Sequence, residues 1–346
     1  MINVDTVKVY APFEAIVKDW NPNKSRVKTT LNVTQNEMDH SEDIETSYQI
    51  NCSGIEGITK IEYKPDRDKI TIEMSSKILK GDYYKHINVN TIGQVVETIN
   101  DELKGVITLD SLGLMESSYI ARLDVCTDVR MKDTERKALF HGFLRNPREG
   151  FVLQPEGNNS LIINKKAKTN NCRMTIYNKF EELIKGPKKT LNIQLYKPYD
   201  HFRDVTRTEL ILRRRAYVRK YLKLEGYTRD IPLKAGLLSE AKPLPRYVRE
   251  FAEANQNPPL FETQQERLSK CKSWEEYEKQ YGIISLLEDT QYNIGVIRNL
   301  MRPYFKEKSN LYRATRKYKE IIRIERRTSK KEQTIIDRYL SQLEET

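Results

Sequence analysis

Apolar and polar positions alternate over three short segments in fixed order: Arg122-Leu-Asp-Val-Cys-Thr-Asp128, Arg173-Met-Thr-Ile-Tyr-Asn-Lys179 and Arg207-Thr-Glu-Leu-Ile-Leu-Arg213. A period of two is that of a β-strand, whose successive side chains point to opposite faces. Arg122, Asp124, Cys126 and Asp128 then share one face, while Leu123, Val125 and Thr127 share the other. In the second segment Arg173, Thr175 and Tyr177 oppose Met174 and Ile176; in the third, Arg207 and Glu209 oppose Thr208, Leu210 and Leu212. If the three strands lie in one sheet, their polar faces bring together carboxylates, guanidiniums and one phenol. That is the inventory of metal-assisted phosphoryl transfer through a tyrosine nucleophile.

The same patterning predicts further elements. Asp5 to Tyr10 reads as a first strand, and residues 11–50 are polar and irregular, with strands whose bounds the pattern does not define. Ile58–Tyr63 and Lys69–Met74 alternate around Lys64-Pro-Asp-Arg-Asp68, whose Pro-Asp pair suits the turn of a hairpin. Thr91 is expected to cap a helix from Ile92 to Leu103, with Ile92, Val95, Val96, Ile99 and Leu103 on one stripe. The acid-bearing strand is expected from Ser117 to Arg130, a helix from Thr134 to Leu144, and a hairpin turning at Gly157-Asn-Asn-Ser160. A short helix follows from Phe180 to Lys185, and another from Ala216 to Leu224. Strands and helices mixed without βαβ regularity indicate an α+β fold with a largely antiparallel sheet.

Near residue 230 the character changes. Pro232, Pro243, Pro245, Pro258 and Pro259 punctuate a linker-like stretch, after which strand signals vanish. This gives a catalytic domain over 1–228, a linker over 229–272 and a helical basic region over 273–346. The helices are predicted at Trp274–Tyr281, Ile283–Met301, Tyr304–Glu325 and Lys330–Leu343. Arg313, Arg316, Lys317, Lys319, Arg323 and the basic residues up to Lys331 form a positive run suited to tracking phosphates.

Composition adds the partner. Formal net charge is +11 over 346 residues, of which 32% are charged, a balance that favours a polyanion. Neither a long apolar run nor a signal-peptide start is read, so a cytoplasmic protein is expected. Cys52, Cys126, Cys172 and Cys271 are scattered with no CxxC pair, which argues against a disulfide framework or structural zinc. His40, His86, His141 and His201 are isolated and read as surface or cap residues.

For the chemistry, Asp124, Asp128 and Glu209 are the candidate ligands of Mg²⁺ or Mn²⁺, which prefer carboxylate oxygen and water. Arg122, Arg173, Arg207 and Lys179 would offset phosphate charge. Arg213, Arg214, Arg215, Arg316 and Lys317 are further candidate DNA contacts. Ion pairing across strands is the competing structural explanation of these charges.

The order and spacing of these segments resemble the rolling-circle replication initiators, particularly the trans-acting plasmid initiators and the gene II/X-like phage replication proteins. Val4–Val9 looks like their opening strand, and Ser75-Ser-Lys-Ile-Leu-Lys-Gly81 is similar to their S-x-P-K-x-x-x-G segment with serine in place of proline. Arg122-Leu-Asp124 with Asp128 matches R-[IL]-D-x-x-x-D, Arg173 to Glu182 looks like R-x-Y-[DEN]-K-x-x-E, and Arg207-Thr-Glu209 matches R-x-E-x-x-L. The resemblance covers residues 1–225. It implies an RRM-like, duplicated central sheet and a site-specific nickase whose tyrosine takes a 5′-phosphate and leaves a 3′-hydroxyl primer. It further implies metal held by Asp124 and Glu209 with Asp128 as third ligand, and origin DNA, single-stranded or supercoiled, as substrate. A host helicase, a polymerase and a second copy of the chain are partners in that family.

Two placements of the nucleophile are open. Tyr177 fits the order of the nearer family, while Tyr217 and Tyr221, four apart on a helix, resemble the YxxK and YxxxY helices of other rolling-circle enzymes. The His-hydrophobe-His metal motif of many initiators is missing from this sequence. The rival functions are a non-catalytic origin-binding initiator, which would need a duplicated helix-turn-helix pattern, and a single-stranded DNA-binding protein using aromatics on a basic sheet.

Overall fold

A computed structural model describes residues 2–35, 42–145, 151–157, 159–165, 171–185, 199–252, 279, 294–305, 307–325 and 330–345. The fold is α+β, with a large antiparallel sheet and several helices. It divides into two compact units, residues 1–130 with 162–247 and residues 131–161 with 248–346.

In chain order the first stretch contains β1 (Val4–Ala11), α1 (Phe13–Ile16), β2 (Val17–Trp20), β3 (Val27–Gln35), β4 (Glu42–Ile50), β5 (Ile58–Lys64) and β6 (Lys69–Ser75). Next come α2 (Ile92–Glu102), β7 (Ile107–Leu109), α3 (Ser111–Ser117), β8 (Tyr119–Arg130), α4 (Asp133–Arg145), β9 (Phe151–Glu156) and β10 (Ser160–Lys165). Then β11 (Cys172–Asn178), α5 (Lys179–Lys185), β12 (Val205–Leu212), α6 (Arg215–Leu222), α7 (Leu233–Leu237) and α8 (Pro243–Ala252) follow.

In the first unit the sheet runs β3-β4-β5-β6-β1-β8-β12-β11-β10, with β2 and β7 as a separate pair. One face is apolar throughout the centre: Val7, Val9, Ile70, Ile72, Leu123, Leu210, Leu212, Met174 and Ile176 are all buried. Each such side chain stabilises the unit by about 1.5–3 kcal/mol relative to exposure. Ile92, Val95, Val96 and Ile99 form the buried stripe of α2, as the 3.6-residue period requires. The expected cap residue is in place, with a different side-chain partner. Thr91 is the N-cap residue and its carbonyl accepts the Val95 N–H at 3.0 Å, but its side chain makes no cap bond; the hydroxyl accepts the Asn88 N–H at 2.9 Å and donates to the His86 carbonyl at 2.7 Å.

Two further readings are refined. The strands left without bounds in residues 11–50 include two long paired ones, 27–35 and 42–50, undefined in the sequence because β3 is solvated on both sides where described and so carries no alternation. The acid-bearing strand begins at Tyr119, since Asp110 accepts the Gly113 N–H at 2.9 Å and caps α3 over Ser111–Ser117.

The second unit holds α4 and the C-terminal helices Ile294–Met301, Lys308–Glu325 and Lys330–Glu345. Phe143 packs edge-on against Phe251 and Tyr339, with ring centroids 5.1 and 6.2 Å apart. Ile335, Ile336, Tyr339 and Leu343 form the buried stripe of the last helix. The helix predicted at Trp274–Tyr281 lies almost wholly outside the described residues. Among the described residues, no helix is long and apolar enough to cross a membrane.

Candidate active site

The strand register brings the three polar faces together. Glu209 stands opposite Cys126 and Arg207 opposite Asp128 across β12 and β8, while Thr175 faces Glu209 and Tyr177 faces Arg207 across β11 and β12. Opposed residues in an antiparallel pair project to the same side. A carboxylate, a guanidinium and the phenol therefore meet on the face away from the apolar core.

The Tyr177 hydroxyl donates to Glu209 Oε1 at 2.5 Å, and Lys179 Nζ donates to the Tyr177 oxygen at 3.3 Å. Lys179 is buried and also pairs with Glu182 at 2.7 Å. Burial, reinforced by the charge of Glu209, holds the Tyr177 phenol well above its ordinary pKa. Burial, with the charge of Asp5, pushes the Glu209 carboxyl up to about 7, against the opposing pull of Lys179, Arg207 and the phenol bond. The phenol is thus protonated at rest, with a carboxylate of near-neutral pKa in contact with its proton. Such a group is suited to general-base work at neutral pH.

Arg207, itself fully buried, is the centre of a second layer. Its Nε and Nη2 bind the two oxygens of Asp128 at 2.6 and 2.8 Å, and its Nη1 reaches Tyr83 Oη at 2.8 Å and Asp5 Oδ1 at 3.2 Å. The guanidinium lies 5.0 Å from the Tyr83 ring centroid and 5.8 Å from that of Phe202. Burial disfavours the Asp128 carboxylate, but Arg207 and His86 outweigh it and hold its pKa far below the usual range. Asp5 is held low in the same way, by Arg207 and Lys179 against burial.

Sequence reasoning missed Asp5, Tyr83 and His86. A bulge between Val4 and Thr6 switches the alternation of β1, so Asp5 reaches the polar face although plain parity would put it with Val7 and Val9. His86, read as a surface or cap residue, does cap the 3₁₀ segment Ser76–Lys85 at a positive φ of 58°, but it is buried rather than at the surface, with Nε2 3.5 Å from Asp128 and Nδ1 3.2 Å from the Cys126 sulfur. Burial, then the charge of Arg207, lowers its pKa, keeping the imidazole neutral. Cys52, Cys126 and Cys172 are free and buried; Cys271 lies outside the described residues.

The proposed metal ligands differ in what surrounds them. Asp128 gives both oxygens to Arg207, and Asp124 gives both to Arg122, at 3.0 and 2.6 Å. Burial raises the Asp124 pKa despite Arg122, with Asp5 and Glu73 adding to the rise. Asp124 and Asp128 are thus each committed to an arginine, and Asp5 is offset by Arg207 and Lys179. As arranged, no three His, Cys, Asp or Glu side chains among the described residues form a ready metal cage.

The remaining basic candidates are dispersed. Arg122 also binds Glu73 at 2.8 Å. Arg173 is half-buried on the face of Tyr177, and its buried Nε has no hydrogen-bond partner among the described residues. Arg213 and Arg214 are exposed beyond the end of β12, and Arg215 pairs with Asp230 at 2.6 Å. Tyr217 is half-buried in the first turn of α6, past the far end of the strand from Arg207, and Tyr221 is packed against Tyr247. Arg316 is exposed on the helix Lys308–Glu325 of the second unit; the side chain of Lys317 lies outside the description.

No family model and no curated protein matches the chain. Among solved structures it is similar to a protein described as the rolling circle replication initiator protein from Geobacillus stearothermophilus, at 16% identity and a TM-score of 0.25, over 62% of this chain and 75% of that one. A likeness that weak fixes neither fold nor activity, and the functional reading rests on the chain's own residues.

Proposed function

We propose that this protein is a rolling-circle DNA replication initiator, a site-specific single-strand endonuclease and strand transferase with Tyr177 as its nucleophile. The observation that carries the reading is the hydrogen bond from the Tyr177 phenol to Glu209, with Lys179 on the same oxygen. A nucleophile in contact with a base that a buried charge network orients is the arrangement covalent catalysis needs. Glu209 takes the phenolic proton as the oxygen bonds to phosphorus; the bond to the 3′-oxygen breaks, and that oxygen leaves with a proton from water. The products are a 5′-phosphotyrosyl link and a 3′-hydroxyl primer. Lys179 and Arg173, whose Nε has no partner among the described residues, supply positive charge for the phosphate.

Mg²⁺ or Mn²⁺, held by Glu209 and Asp124 with Asp5 adjacent, would polarise the scissile phosphate when bound. Arg207 and Asp128 act by positioning, since their groups are committed to one another. Origin DNA is the substrate under this reading, consistent with the charge of +11. The sheet is read as a duplicated RRM-like unit: β1 pairs with β6, the last strand of one meander, as β8 pairs with β12, the last of another.

The test incubates the protein with supercoiled and single-stranded DNA carrying its own origin, with Mg²⁺, Mn²⁺ or EDTA. The reading expects metal-dependent nicking that Tyr177→Phe abolishes and Tyr217→Phe retains. Origin binding without cleavage under either metal would replace it with a non-catalytic initiator.

A further inference from the structure

The site face of the sheet carries a second feature that the phosphoryl-transfer chemistry does not use. Tyr10 of β1 pairs with Tyr119 of β8, and their rings stack with centroids 5.7 Å apart and planes 29° from parallel. Tyr119 is 38% exposed. It reaches this face through a bulge: Lys8 pairs with Arg122 but Val9 with Ile120, so β8 holds one extra residue, Ala121. Without it, Tyr119 would share parity with Leu123 and turn into the core. Bulges that re-aim one side chain are features of function rather than packing defects.

Cations surround the pair. Lys69 Nζ lies 4.6 Å from the Tyr10 ring centroid and the Arg215 guanidinium 5.3 Å from it. Lys64 stands opposite Lys69, and Lys8 lies two residues before Tyr10 on the same face. Burial, then the charges of Arg215, Arg67 and Lys64 against that of Glu62, lowers the Lys69 pKa. Acids offset part of this positive charge: Asp230 pairs with Arg215 and hydrogen-bonds the Tyr10 hydroxyl, Glu45 pairs with Lys64 at 3.0 Å and Glu73 with Lys8 at 3.5 Å, leaving Lys69 as the cation over the Tyr10 ring. The platform lies roughly 20 Å along β8 from Cys126, the residue opposite Glu209, at ~3.3 Å per residue.

We propose that the stacked Tyr10–Tyr119 pair, flanked by Lys69 and Arg215, is a platform on which an unpaired base of single-stranded DNA stacks, holding the strand that crosses to Tyr177. The exposed ring offers a π-face to any base and the cations hold the backbone beside it, which is how sequence-tolerant single-strand binding is built. The inference rests on the reading of the chain as a DNA strand-transferase.

The experiment measures binding of a 5′-labelled 12-nucleotide oligothymidine, and of a fully abasic oligomer of equal length, in EDTA. Wild type is expected to prefer the base-bearing strand by about 5- to 150-fold, the range of one base stacked on an aromatic ring. Tyr119→Ala should erase that ratio without changing affinity for the abasic strand, and Tyr119→Phe should keep it. Lys69→Ala should weaken both strands equally and make the salt slope shallower by about one. A wild-type protein with no base preference, or a Tyr119→Ala protein that retains it, overturns the platform. Formation of the Tyr177 adduct is scored separately, so the platform can fail while the strand-transferase reading stands.

Discussion

Replacing Asp128 by asparagine tests whether that carboxylate holds a metal or holds Arg207. Arg207 is 0% exposed and places two of its donors on Asp128; the asparagine amide would offer one acceptor where there were two and no charge. Removing one partner of a buried pair costs about 3–5 kcal/mol. Because Asp5 and Tyr83 still hold Nη1, about 3 kcal/mol is expected at pH 7. The pH dependence has a definite sign. The folded pKa of Asp128 is depressed, so its stabilising contribution is present above the unfolded value of 3.8 and is lost as the pH falls towards the folded value. Between pH 7 and pH 3 the penalty of Asp128→Asn should therefore shrink by ~1 kcal/mol. Urea unfolding of both proteins at the two pH values, without divalent ions, measures it. A penalty below ~1 kcal/mol at pH 7, or one that does not change with pH, would refute the argument that this pair is structural.

Glu209→Gln should separate stability from activity: the folded pKa of about 7 lies above the unfolded 4.5, so the stabilising contribution is full below about pH 4.5 and is lost as the pH rises through 7. Since the side chain is half-buried, the variant should gain about 1–3 kcal/mol over wild type between pH 5 and pH 8, read by urea midpoints, while losing strand cleavage. Gly57→Ala should cost about 2 kcal/mol or more, because Gly57 has a φ of +85° and an added Cβ would lie 2.2 Å from the Ile78 backbone nitrogen; thermal unfolding checks it, and an unchanged Tm would contradict that packing.

What was legible in the sequence was the part governed by simple alternation. The segments holding Asp124, Tyr177 and Glu209 are adjacent strands with the facing predicted, and the hairpin of β5 and β6 and the stripe of α2 follow their periods. What was not legible breaks those periods. Asp5 and Tyr119 reach the site face only through bulges, each a shift of one residue with no composition of its own. His86 depends on a turn closed by residues far apart in sequence, its carbonyl held by Thr91 and its ring by Asp128 and Cys126. The commitment of Asp128 to Arg207 needed the register, since spacing alone makes a carboxylate equally a metal ligand or an ion-pair partner.

The central claim is tested most directly by mass spectrometry of the protein after incubation with single-stranded origin DNA and Mg²⁺, followed by nuclease and protease digestion. The account predicts a nucleotide-bearing peptide whose modified residue is Tyr177, absent in EDTA and in Tyr177→Phe. A nucleotide on Tyr217 or Tyr221, or cleavage with no covalent peptide at all, would contradict it.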